Sequence, residues 1–193
     1  LIPYLSNNLS SKNKATPNND FKVGGDLKYS LTSALNLDVT INPDFSQSEV
    51  DQQVTNLDRF ELFFPERRQF FLENVDLFSN FGYRSIRPFF SRRIGLNSPI
   101  QAGIRLSGNL DENWRIGLMD IQTRQDEELN VAAENFGVVT LQRKVFDRSD
   151  ISAIFVNKQA IGLNENQNNA SKYNRNIGLE YNYFSADNFW NGK

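Results

Sequence analysis

The chain contains neither cysteine nor histidine. Without cysteine there can be no disulfide framework and no thiolate metal site. Without histidine the commonest general base and the commonest transition-metal ligand are lost together, so any catalysis would rest on carboxylates, lysine, tyrosine or serine. No apolar run approaches the ~18 residues of a membrane helix, and the mean hydropathy is -0.53. A basic excess is missing as well: the formal net charge is -2, whereas nucleic-acid binders carry a cationic stripe that neutralises phosphates. The glycines lack phosphate-loop spacing, and no nucleophile elbow is present. These absences still permit a membrane β-barrel, whose strands alternate and dilute the hydropathy signal.

At 193 residues, 39% hydrophobic and 23% charged, the composition is that of a folded chain. Alternation is its main signal. Between Phe21 and Leu31 the odd positions are apolar or small, while Lys22, Asp26, Lys28 and Ser30 take the other face, as in a strand with one greasy and one wet side. Leu35, Leu37, Val39 and Ile41 repeat the pattern, making a hairpin with the first run. So do Ile100, Ala102, Ile104 and Leu106, then Trp114, Ile116 and Leu118, and later Ile177, Leu179, Tyr181 and Tyr183. Residues 136–145 and 151–158 alternate less cleanly, and a further strand is expected at Phe189-Trp190.

With residues 2–9 as a weak first strand, the links between strands alternate strictly between long and short. Tight turns at one rim and long polar loops at the other are the habit of membrane barrels. Tyr29, Trp114, Phe146, Tyr183, Phe184, Phe189 and Trp190 all lie beside the short turns, as one interfacial aromatic girdle would. The expected fold is therefore all-β: an antiparallel up-and-down transmembrane β-barrel, partial here with about eight or nine strands. Its wet faces carry Lys22, Asp26, Lys28, Asp38, Arg105, Arg115 and Glu180, which suits a wide, partly aqueous lumen. The sequence starts at Leu1 without a signal-like segment and stops within what looks like a strand, so a longer precursor is expected. A soluble β-sandwich, which alternates in the same way, is the competing architecture.

Residues 1–42 are assigned to the first barrel strands, 43–99 to a plug-like insert, and 100–193 to further hairpins. Eleven aromatic residues fall between Asn42 and Gly95. A link this long is functional rather than idle, and so many Phe residues must pack on something, most simply in the lumen or mouth. Thr55 and Asp58 have capping-box spacing, with Leu57, Phe60 and Phe64 on one helical face before Pro65. Residues 66–73 fit either an extended or a helical form.

Asn42-Pro43-Asp44-Phe45, Gln47, Glu49, Asp51, Asn56-Leu57, Phe60-Glu61, Phe63-Phe64-Pro65-Glu66, Arg68, Phe70-Phe71-Leu72-Glu73 and Ser91-Arg92-Arg93-Ile94-Gly95 together resemble the hallmark segment of a family of Bacteroidota outer-membrane proteins of unknown function. The resemblance implies an N-terminal carbohydrate-binding-module family 9-like domain, which these residues do not include, followed by a large β-barrel. Two positions depart from the family pattern: Gln69 stands where Pro is usual, and Asn74 where Gly is usual.

Several chemistries compete for the insert. Glu61, Glu66 and Glu73 with Arg67, Arg68, Arg92 and Arg93 form a candidate ion-pair network holding it in place, around an aromatic core of Phe60, Phe63, Phe64, Phe70 and Phe71. Asp44, Glu49 and Asp51 are a weak Ca²⁺ candidate; otherwise no metal or cofactor is expected. Three functions follow. The first is a plugged channel or surface-binding protein for a nutrient, with a glycan as candidate ligand, in the outer membrane of a Gram-negative bacterium. Outer-membrane lipid and unidentified envelope proteins would then be its partners. The second is a carboxylate-based hydrolase of glycan or lipid at the barrel mouth. The third is a soluble β-rich binding module.

Overall fold

The computed structural model describes residues 1–10, 18–44, 64–83, 86–96, 98–126, 131–162 and 172–193. Alternation becomes pairing in a single antiparallel sheet. Its strands are β1 (Ile2–Ser10), β2 (Asn18–Ser30), β3 (Leu35–Ile41), β4 (Ile100–Asn109), β5 (Trp114–Thr123), β6 (Ala133–Val145), β7 (Ser149–Ile161), β8 (Tyr173–Phe184) and β9 (Asn191–Gly192). They lie side by side in sequence order, a meander with β1 and β9 as its open edges. Several strands outrun their sequence limits: β2 begins three residues before Phe21, and β6 and β7 span 13 residues each. Phe189 and Trp190 fall in the turn before β9 rather than in a strand, because Asp187 and Ser185 take their backbone N–H groups as a turn requires.

The sheet has two unlike faces. On the outer one Leu37 pairs with Leu106, Leu106 with Leu118, and Leu118 with Val139. Ile177 and Leu179 are each 80% exposed there. The inner face carries Lys28, Asp38, Arg105, Arg115 and Glu180, and the insert lies on it. One residue departs from the expected alternation. Register slips between Ile100 and Ala102, with Gln101 as the extra residue of a bulge. Ile100 therefore turns inward into the core instead of joining Ala102 and Ile104 outside.

The blurred alternation of β6 and β7 has a physical cause. Val138, Ile154 and Val156 are buried inward, while Val139 and Phe155 stay exposed outward. Strands with apolar groups on both faces give continuous runs rather than a period of two.

The insert supplies the other half of the core. From Phe64 it runs without helix to Arg68, makes α1 (Gln69–Leu72), reverses, makes α2 (Asp76–Ser79), and later forms a 3₁₀ turn at Ser91–Arg93. The two departures from the family pattern keep this geometry. Gln69 is the first helical residue, whose N–H needs no intrahelical acceptor, so Pro and Gln serve equally. Asn74 has φ +47°, in the left-handed region that Gly or Asn adopts with least strain. The expected helix start at Thr55–Asp58 lies outside the described residues.

Phe71, Leu77, Phe78, Phe89 and Ile94 of the insert cluster with Ile100, Met119, Ile121, Val138, Ile154 and Val156 of the sheet. Three inward glycines seat three rings. A Cβ placed at Gly103 would lie 3.1 Å from Phe70, at Gly117 2.7 Å from Phe78, and at Gly178 2.6 Å from Phe81. Bare backbone at these points lets the far edge of each ring come up against the sheet.

Replacing Gly117 with Ala should therefore push aside both Phe78 and the Thr140 hydroxyl, which would lie 2.5 Å from the new Cβ, and cost about 1–3 kcal/mol of stability. Gly137→Ala is the control: its Cβ would meet nothing closer than Asp120 Oδ2 at 3.7 Å. Urea unfolding followed by tryptophan fluorescence compares the two, and equal losses would mean that the seat does not matter.

Candidate functional site

The insert is fixed by two clamps that the sequence runs together as one acidic and basic stretch. The first lies within the insert. Glu66 accepts a forked pair of bonds from Arg68, both at 2.9 Å, a bond from Ser91 Oγ at 2.6 Å, and the backbone N–H groups of Arg67 and Arg68, each at 3.0 Å. Arg68 in turn donates to the carbonyls of Ile94 (2.7 Å) and Ser91 (2.8 Å), and its guanidinium lies 4.2 Å from the Phe71 ring centre. Arg68 thus ties the segment just before α1 to the 3₁₀ turn near the end of the insert. Burial alone would raise the Glu66 carboxyl, but the bonds from Arg68 and Ser91 outweigh it and hold the group below the ordinary carboxylate range.

The second clamp joins insert to sheet. Arg105, on the inner face of β4, is 1% exposed. It donates to Asp38 on β3 at 2.8 Å and to the Glu73 carbonyl at 2.9 Å, with the Glu73 carboxylate 3.7 Å away. Phe70 lies within cation–π range at 5.4 Å. The Glu73 carboxylate meets Lys28 of β2 and Asn36 of β3, and Asn74 donates to Ser107 at 3.1 Å. Burial again opposes ionisation of Glu73, and Lys28, Asn36 and Arg105 reverse the balance and lower it.

Lesser anchors follow along the sheet. Asp76 pairs with Arg115 of β5 at 2.6 Å, the N–H of Gly82 donates to Glu180 of β8 at 2.7 Å, and Lys193 bonds both Glu180 (2.8 Å) and the Asn80 carbonyl (3.1 Å).

The expected network is therefore split. Glu66 and Arg68 meet each other, whereas Glu73 meets sheet residues instead of the insert's arginines. Arg92 donates to the Pro65 carbonyl at 2.8 Å and sits 5.9 Å from the Phe64 ring centre. Arg67 joins through its backbone N–H, and Arg93 is exposed in the 3₁₀ turn. Phe70 and Phe71 pack edge to face at 5.2 Å. Glu61, Phe60 and Phe63 lie outside the described residues, as do Glu49 and Asp51 of the Ca²⁺ candidate. Asp44 lies near Tyr4, and among the described residues no three acidic side chains gather as metal ligands.

The partners that sequence reasoning missed are Lys28, Asn36 and Arg105 for Glu73, Asp38 for Arg105, and Arg115 for Asp76. Their place on the wet side of the alternation was the available signal. As chemistry, the arrangement holds two ionised carboxylates saturated with donors. A general acid needs a raised carboxyl, so Glu66 and Glu73 suit fastening better than proton transfer.

Arg105→Met, which strands Asp38 without its cation, should cost about 3–5 kcal/mol, and adding Asp38→Leu should return much of it. Urea unfolding of the single and double variants measures both. The lowered carboxyls also set a pH dependence. Their stabilisation is complete above the ordinary value near 4.5 and drains away as pH falls toward their lowered folded values. Unfolding free energy should thus hold level from pH 7 to about 5 and then decline, and Glu66→Gln should flatten the decline.

Neither a curated protein nor a solved structure matches the chain. The first hairpin, the insert with both clamps, and the wall strand that carries Arg105 all fall within residues 1–116, which match a family described as a domain of unknown function. The chain belongs to that family, DUF5916.

Proposed function

We propose that the chain is part of an outer-membrane β-barrel in a Gram-negative bacterium, with the β3–β4 insert as its plug, serving the passage or surface binding of a nutrient such as a glycan. The observation that carries this reading is the inversion of the sheet. Its charged inner face is covered by the chain's own insert, while the apolar outer face has no protein layer over it among the described residues. A soluble sandwich would bury the face that this sheet leaves bare. Monomeric soluble proteins rarely expose apolar patches beyond a few hundred Å², yet here the apolar positions continue from Val23 on β2 to Leu179 on β8.

Strand length supports the same reading. β4 and β5 have 10 residues each, and β2, β6 and β7 have 13, against the ~9–11 that a tilted membrane strand needs. No helix among the described residues is long and apolar enough to cross a membrane, so a crossing falls to the strands. The exposed Tyr29, Phe146, Phe189 and Trp190 stand beside the short turns, where an interfacial girdle belongs. The open edges at β1 and β9 would be closed by further strands. Membership in Bacteroidota and the sugar-binding partner domain belong to this proposal through the family resemblance.

The whole protein should stay in the membrane fraction until detergent is added. In planar bilayers, deleting residues 54–91 should raise its conductance severalfold, because the insert would then no longer fill the lumen. Release into buffer without detergent would end the membrane reading, and an unchanged current would mean that the insert blocks nothing.

A further inference from the structure

The insert does not seal the inner face evenly. Over β3 and β4 it fits closely, with Arg105, Ser107 and Thr40 almost fully buried. Over β5 to β8 two cavities of mixed polarity remain. One, of about 290 Å³, opens among the turns before β5 and β7 and is lined by Asp111, Asn113 and Arg148 among others. The second, of about 240 Å³, lies deeper against α2, with Asp76, Ser152 and Asn182 on its walls. Gln142 and Asp150 line both, so the two adjoin.

An ion pair stands at their junction. Arg115, from the wall of the first cavity, grips Asp76, from the wall of the second, at 2.6 and 3.3 Å, and also donates to Gln142 at 3.1 Å. Inward, the deeper cavity stops short of Ile154 and its partner Gly178, where the Phe81 ring occupies the glycine seat. Charges along the seam are of both signs: Arg115 pairs with Asp76 and Lys193 with Glu180, Asp150 accepts bonds from Ser152 and Asn182, and Glu112, Lys144 and Arg148 add an acid and two bases at the mouth. Such a wall offers a visitor amide and hydroxyl groups between charges of opposite sign, with no single-sign field to focus an ion.

On the membrane reading above, we propose that this seam is the route by which small uncharged hydrophilic solutes enter the barrel from the short-turn rim, with the Arg115–Asp76 pair as its outer latch and Phe81 as its inner stop. A half-exposed ion pair is weak enough to open thermally, unlike the dry Arg105 clamp on the other side. Solute entry therefore needs no release of the insert from β3 and β4.

The natural lack of cysteine makes the test direct. In the whole protein, reconstituted in vesicles and carrying no other cysteine, Asn182→Cys should react with the small neutral, water-soluble reagent 2-hydroxyethyl methanethiosulfonate. Adding Arg115→Gln should raise that rate roughly fivefold, the population held back by an ion pair of this exposure. Asp76→Asn, nearly isosteric, should do the same if Arg115→Gln folds poorly. An Asn182→Cys that never reacts, or reacts at one rate in all three backgrounds, overturns the proposal. Phe155→Cys on the outer face separates this from the parent reading. If it labels as fast as Asn113→Cys at the rim, the membrane assignment itself fails and the route with it.

Discussion

A guanidinium that has lost its water must be surrounded by acceptors that cannot drift away, and Arg105 meets this condition only when three separate pieces of chain are in place. β3 brings Asp38, β4 brings the arginine, and the turn between the two insert helices brings the Glu73 carbonyl. Its Nε is the one buried side-chain polar atom without a hydrogen-bond partner among the described residues, so the site tolerates no further loss. The position of α1, the seat of Phe70 on Gly103 and the reach of Glu73 to Lys28 all depend on that one desolvated charge. A buried ion group is weak evidence for stability but good evidence for a fixed register, and here the register is that of the insert on the sheet.

From that anchor the insert crosses the sheet with declining grip. The buried Arg105 holds it at β4, Phe78 on Gly117 and the half-exposed Asp76–Arg115 pair hold it at β5, and at β8 and β9 it has Phe81 on Gly178 and a few hydrogen bonds to Glu180 and Lys193. The gradient matters for the proposed plug. On the proposed reading, a segment packed closely on one side and bordered by cavities on the other would let small solutes pass without leaving its place.

Much of the sheet could be seen in the sequence because side chains in strands alternate with a period of two, and a face that meets a uniform medium repeats it faithfully. The pattern held best on β2, β3 and β8. It blurred on β6 and β7, where the insert's aromatics make the inner face apolar too. Gln101 was invisible for a different reason: one extra residue changes the phase of only its immediate neighbour, and the exposed glutamine looks like any other polar position. Gly103, Gly117 and Gly178 passed for small residues on a wet face, since nothing local marks them as seats for rings tens of residues away. The same distance hid the pairings. Composition indicates that acids and bases share the insert, but only the folded path shows Glu66 turning to Arg68 and Glu73 turning to Lys28.

The insert lies between adjacent strands in sequence, yet its last contacts are with β8 and the end of β9, about a hundred residues later. Loop-closure entropy makes such distant contacts slow to form. Residues 64–83 therefore cannot complete their docking until nearly the whole meander has paired, and during that interval their phenylalanines have no finished surface to rest on. A nascent chain of this design needs something to shelter those rings while the later hairpins assemble, which makes the order of strand pairing as much a requirement on the molecule as its final shape.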